Sequence, residues 1–124
     1  MSNADGFVHL HTHSHYSLLD GGATVGAMAE AILAGGMNAF ALTDHGNMFG
    51  AVDHYTTCRN KGIKPILGYE AYISPTTRDD RSMGQRSGSS YHMILLAQNA
   101  AGWLNLKALC SYGYTEGFYN VPRI

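Results

Sequence analysis

Four histidines alternate along one short stretch, His9-Leu10-His11-Thr12-His13-Ser14-His15, and Asp20 follows closely. In an extended strand, residues two apart point to the same face. A strand running Phe7 to His13 therefore aims His9, His11 and His13 one way and brings His11 and His13 to its end. Thr43-Asp44-His45-Gly46 stands at the end of a second apolar run. Neutral imidazole and carboxylate are the common ligand set for Zn, Mn and Fe. Such a pattern calls for a fold that gathers strand ends around one point. Two plainer readings compete with it. A purification tag is argued against by the interleaved residues and the apolar lead-in. Four unrelated surface histidines are the other, and the rest of the chain weighs against them.

Met1-Ser2-Asn3-Ala4 looks like a cloning remnant, so residues 5–124 are taken as the domain. A chain of 124 residues makes one domain or part of one. With 45% hydrophobic and 14% charged residues it is globular rather than disordered. A net charge of -1 leaves no basic stripe, which argues against strong DNA binding by this stretch alone. No apolar run approaches the ~20 residues of a membrane span, and no secretory signal is seen. Cys58 and Cys110 lie far apart in helical patterns and read as small core residues in a reducing cytoplasm.

Strand and helix alternate. Phe7 to His11 reads as a short strand. Thr24 caps a helix from Val25 to Leu33, which Gly35-Gly36 ends. Asn38 to Thr43 is a buried strand, and a helix from about Phe49 to Arg59 stops at Gly62. Ile63 to Ile73 is a third strand, with Pro65 near its start. Ser74 to Ser90 carries scarcely an apolar residue and reads as a mobile loop, open to trypsin at Arg78, Arg81 or Arg86. Tyr91 to Ala97 is a fourth strand. Asn99 caps a helix through Trp103, Leu106, Leu109 and on toward Tyr112. Gly113 to Ile124 runs out in an aromatic tail with no terminating logic.

The alternation predicts a parallel sheet with right-handed crossovers, whose functional residues collect at the C-terminal strand ends. His11 and His13 follow the first strand and Asp44-His45 the second, while Glu70 lies well along the third. His92 breaks the pattern, being near the start of the fourth. Either that strand begins earlier or His92 points in from its middle.

His11-Thr12-His13-Ser14, Ser17, Asp20-Gly21 and Thr43-Asp44-His45-Gly46-Asn47 resemble the PHP (polymerase and histidinol phosphatase) superfamily. The wording of Phe49 to Val52, Gly62 to Tyr72, and Tyr91 to Ala97 followed by Asn99, Gly102 and Asn105-Leu106 is similar to the N-terminus of bacterial DNA polymerase III alpha subunits. This resemblance implies a partial, distorted (β/α)7 TIM-like barrel of the α/β class. On that footing residues 5–124 are the N-terminal part of a PHP domain whose later ligands lie elsewhere. Carried over residue by residue, it implies divalent metal ions (Zn, Mn, Fe or Mg) held by His11, His13, Asp20, His45, Glu70 and His92. Asp20, His45 and Glu70 would also do the chemistry. His9 becomes a supporting partner or weak ligand, His15 faces solvent, His54 is structural, and Asp44 orients a ligand.

The implied chemistry is metal-assisted phosphoester hydrolysis, serving 3′–5′ proofreading in a replicative polymerase. The implied partners are DNA, a proofreading exonuclease subunit and a sliding clamp, in the cytoplasm and without membrane. The fragment itself is expected to be inactive and to self-associate through sheet edges and its aromatic tail. The alternatives are a stand-alone phosphatase of the histidinol-phosphatase type and a non-catalytic, metal-stabilised scaffold that docks an exonuclease subunit.

Overall fold

Helix α1, Val25–Ala34, starts where the Thr24 hydroxyl accepts a hydrogen bond from the Ala27 N–H at 3.2 Å. Its buried positions, Val25, Ala29 and Ile32, follow helical spacing. The computed structural model describes residues 6–82 and 90–124. The cloning remnant of the sequence reading and Arg86 lie outside them.

Strand β1, Ala39–Leu42, is buried throughout. The turn after it is held by the Asn47 side chain, which accepts from the Phe49 N–H at 3.1 Å. Helix α2 therefore begins late, at Ala51, and runs to Asn60, with Asp53 in its first turn and Arg59 in its last, matching the helix dipole. Strand β2, Lys64–Ile73, pairs with β1 in parallel from Ala39↔Lys64 to Leu42↔Leu67. Ala29, Ile32, Phe40, Cys58 and Ile63 form a core between this pair and the two helices. Cys58 is a core residue as expected, its thiol pushed up to about 11 by burial.

The structure is α/β with a partly parallel sheet, but strand β3, Tyr91–Leu96, pairs with β2 antiparallel, from Gly68↔Leu96 to Ile73↔Tyr91. This settles the position of His92 without either remedy the sequence suggested. An antiparallel strand begins where its neighbour ends, so a residue near the start of β3 lies beside the C-terminal end of β2. Helix α3, Ala100–Thr115, is capped by the Asn99 side chain, which accepts from the Gly102 N–H at 2.9 Å. It lays Leu106 against Tyr69 and Ala71 in a second core.

Two expected elements differ. Phe7 to His11 does not form a full strand. Only His9 bridges to Phe40, because the Thr43 hydroxyl takes the Thr12 N–H at 2.9 Å in place of a ladder partner. The C-terminal tail is regular where the sequence showed no pattern. Strands β4, Phe118–Tyr119, and β5, Val121–Pro122, make a small hairpin. Beyond it Ile124 exchanges backbone bonds with Tyr72 and Ser74, each 2.8 Å long. Arg123, 1% exposed, donates to the carbonyls of Gly117, Arg78 and Asp80. The described part of the Ser74 to Ser90 stretch is thus tied down, with Arg78 also bonded to Glu116. Its Gly/Ser composition concealed partners supplied from the other end of the chain.

Candidate metal centre

The parallel ladder continues past β1 as a bridge between His45 and Glu70, closed by Gly46 N–H to Glu70 O at 2.8 Å and Glu70 N–H to Asp44 O at 3.0 Å. Gly46 can make this turn because its φ is 64°, and a Cβ there would meet the Tyr72 ring at 2.8 Å. Glu70 is nearly buried and stands at the focus. Its Oε2 lies 2.7 Å from the Nε2 atoms of both His11 and His13, which are 3.0 Å from each other. Its Oε1 accepts from His92 Nδ1 at 2.5 Å. His45 Nε2 bonds Asp20 at 2.6 Å, and His13 Nδ1 lies 3.4 Å from the same Asp20 oxygen.

Three groups result, each with ligand atoms within 4.8 Å of one another: His11, His13 and Glu70; His13, Asp20 and His45; His45, Glu70 and His92. All six residues singled out as metal candidates are therefore brought together. His9 is not. It is exposed and stacks edge-on against Phe7, with centroids 4.8 Å apart. His15 is half-buried rather than solvent-facing, its ring 4.3 Å from that of Tyr16. His54 is fully buried against Phe40, and burial pushes its pKa down.

Burial by itself would raise the Glu70 carboxyl. The hydrogen bonds from His11, His92 and His13, with the charge of His45, outweigh it and hold the group at about 2. Crowding lone-pair-bearing nitrogens around one carboxylate is unfavourable unless protons or a cation sit among them. His45 Nδ1, moreover, is buried without a hydrogen-bond partner, 3.6 Å from Glu70 Oε2. Both observations fit a divalent cation, and imidazole with carboxylate is a suitable donor set for one.

Asp44 bonds no member of this cluster through its carboxylate. It is 1% exposed and accepts from the Ser14 N–H at 2.7 Å, the Ser14 hydroxyl at 2.9 Å and the Ser17 hydroxyl at 2.7 Å. Ser17 Oγ in turn accepts from the His45 N–H at 3.0 Å. The loop carrying His13 and Asp20 is thereby locked to the loop carrying His45. Tyr72 is a neighbour the sequence reading missed. Its ring lies 6.1 Å from that of His45 and 4.8 Å from that of His92. Burial, then the negative Glu70 and Asp20, push its phenol up and keep it neutral. The signal was present, since Tyr72 stands two residues beyond Glu70 on β2 and shares its face.

A sheet whose ends converge imidazoles and carboxylates places the chain among α/β domains with a candidate metal site. Within that class, the PHP domain family matches residues 9–124, and the chain belongs to it. It is 47% identical over 124 residues to the DNA polymerase III subunit alpha of Borreliella burgdorferi, covering 100% of this chain and 11% of that protein. The subunit alpha of Helicobacter pylori strain J99 is 46% identical over 124 residues, and that of Thermus aquaticus 45% over 121. The chain spans about a tenth of the length of these relatives. In fold it is similar to a metal-dependent phosphoesterase from Bifidobacterium adolescentis, with TM-score 0.59 and 17% identity. An amidohydrolase from Chromobacterium violaceum gives TM-score 0.55 and 23% identity. These structures cover 90% of this chain, and the aligned region is 34% of each of them.

Proposed function

We propose that His11, His13, Asp20, His45, Glu70 and His92 hold divalent metal ions (Zn, Mn, Fe or Mg) and that the site hydrolyses phosphoesters. One observation carries this reading. Three ligand groups share His13, His45 and Glu70, so neighbouring cation positions would be joined through common residues. Bound there, the ions would supply Lewis acidity toward a phosphate and make a water acidic enough to attack it at neutral pH. Glu70, kept as a carboxylate by its histidine partners, anchors the centre. Asp20 orients His45 through Nε2, and these two exposed-side residues face incoming substrate.

In the same reading the chain is the N-terminal PHP segment of a replicative DNA polymerase in the cytoplasm. DNA, a proofreading exonuclease subunit and a sliding clamp are its partners, and 3′–5′ proofreading is its reaction. What supports this is identity of 45–47% to DNA polymerase III alpha subunits along nearly the whole chain. No helix among the described residues is long and apolar enough to cross a membrane. Exposed Val52, Leu104 and Phe118 favour self-association of the isolated chain.

The test begins with elemental analysis. The chain should carry stoichiometric metal, and the His11→Ala, His13→Ala double variant should not. In the longer polypeptide, His45→Ala should abolish metal-dependent release of 3′-terminal nucleotides while incorporation continues. Unchanged metal in the double variant would sink the ligand assignment. Metal without any hydrolysis in the longer polypeptide would leave the scaffold reading instead.

A further inference from the structure

We infer that the cleft beside Asp20 and His45 binds a flat, uncharged ring carried by the phosphoester, a nucleobase or an aryl group, with Phe49 and Tyr114 as its specificity-determining residues. The inference rests on the phosphoester reading above and adds a substrate class to it.

The cleft has a volume of about 510 Å³, within the usual range for small-molecule sites. Asp20 and His45 are among its lining residues, so it borders the cluster. The rings of Tyr16, Phe49, Tyr72 and Tyr114 make up much of its wall, with Leu18 and Leu19 beside them. Tyr72 joins the two regions, because its ring lies nearly parallel to that of His45, at 19°. The Tyr16 wall depends on Gly50, where a Cβ would stand 2.7 Å from the Tyr16 ring. Phe49 and Tyr114 pair in this wall, with centroids 6.0 Å apart and planes tilted by 45°. That separation is too small to admit a third ring between them, so a ligand ring would stack on an outer face. Phe49, 65% exposed, offers the ring surface for it.

Charge decides which part of a substrate this cleft can take. Among the described residues its lining includes no lysine or arginine, and Asp20 is the one carboxylate. A phosphate finds no cationic side chain there, so it stays at the cluster, where bound divalent ions would meet it. The uncharged group attached to it then enters the cleft. Four aromatic rings favour a flat group over an aliphatic one, since every base offers a π-face and stacking on a protein ring is worth about 1–3 kcal/mol.

The test is calorimetric titration of the manganese-loaded chain with deoxyribose 5-phosphate, phenyl phosphate and dTMP. The two ring-bearing phosphates should bind about tenfold tighter, or more, than deoxyribose 5-phosphate. A further advantage of dTMP over phenyl phosphate identifies the nucleobase as the natural occupant, and parity or the reverse identifies a simple aryl group. Phe49→Ala or Tyr114→Ala should remove most of the advantage and leave metal content and deoxyribose 5-phosphate binding unchanged. Equal affinity for all three probes on a fully metallated chain overturns the ring subsite but leaves the metal reading standing. So does a preference that survives both variants, which would place the ring elsewhere. Absence of both metal and phosphate binding overturns the underlying reading, and the subsite with it.

Discussion

Two irregular segments of this chain are each fastened by one buried ionisable side chain of opposite sign. The loop from Ser14 to Asp20 is fastened by Asp44, whose partners are one N–H and two hydroxyls. The stretch from Ser74 to Ser82 is fastened by Arg123, whose partners are all backbone carbonyls. The anion selects its neighbours, because only residues with a side-chain hydroxyl can supply two of its three bonds. The cation accepts any sequence, because every residue has a carbonyl. This is why Ser14 and Ser17 stand out in the sequence and the loop held by Arg123 does not. The first fastening serves the candidate metal centre, and the second serves the sheet edge behind it.

The comparison breaks most visibly at Asp44. Asp44→Ala leaves three buried donors without an acceptor, and about 3–5 kcal/mol of stability should be lost. Metal content should fall with it, because the loop bearing His13 and Asp20 is released. A urea melt within 1 kcal/mol of the parent, with full metal retained, would mean that Asp44 fastens nothing.

Chelation should act on the first segment and spare the second. At free metal one hundred times the dissociation constant, binding contributes about 2.7 kcal/mol. Its removal should speed amide exchange from His11 to Gly21 and at His45, and leave Phe118 to Ile124 unchanged. Equal acceleration in both segments would show that the two fastenings are one cooperative unit.

Arg123→Met keeps most of the aliphatic stem and loses the three carbonyl bonds. We expect a loss of about 2 kcal/mol, since the freed carbonyls can turn to water. Trypsin should then cut at Arg78 or Arg81 faster than it does in the parent, where these residues are bonded to Glu116. First cuts inside α2 or α3 of the variant would place the weak point elsewhere.

The smallest effect sharpens the contrast with a buried group that must stay neutral. His54 has its folded-state pKa lowered by burial from an ordinary 6.5. The unfolded chain therefore binds the extra proton first, so stability is complete above 6.5 and declines as pH falls below it. In chelated samples taken from about pH 7 to about pH 5.5, the melting temperature should drop less for His54→Gln than for the parent. Identical drops would assign the acid sensitivity to other histidines.

Much of the site could be read from the sequence because its residues sit at strand ends in period-two order. His11 and His13 share a face, and Glu70 falls within a strand whose extent, Ile63 to Ile73, differs from the observed one by a single residue. The direction of Tyr91–Leu96 was not read, although a clue was present. A parallel crossover needs a dozen or more residues and usually a helix, and the stretch from Ser74 to Ser90 has no helical periodicity. The tail was opaque for a different reason. Arg123 and Ile124 take most of their partners from segments some forty to fifty residues earlier, and no local pattern announces such a contact.

The antiparallel pairing of β2 with β3 also bears on the order in which the centre is assembled. Glu70 meets His92 by closing 22 residues of chain, and meets His11 only by closing 59. The longer closure costs about 0.9 kcal/mol more in chain entropy, and His11 gains no regular strand ladder to offset it. The hairpin can therefore form early and carry Glu70 and His92 already in register, with the N-terminal histidines arriving last. A slip of one residue in that hairpin would turn His92 to the opposite face. On this order a register error would be exposed during folding, before His11 and His13 dock.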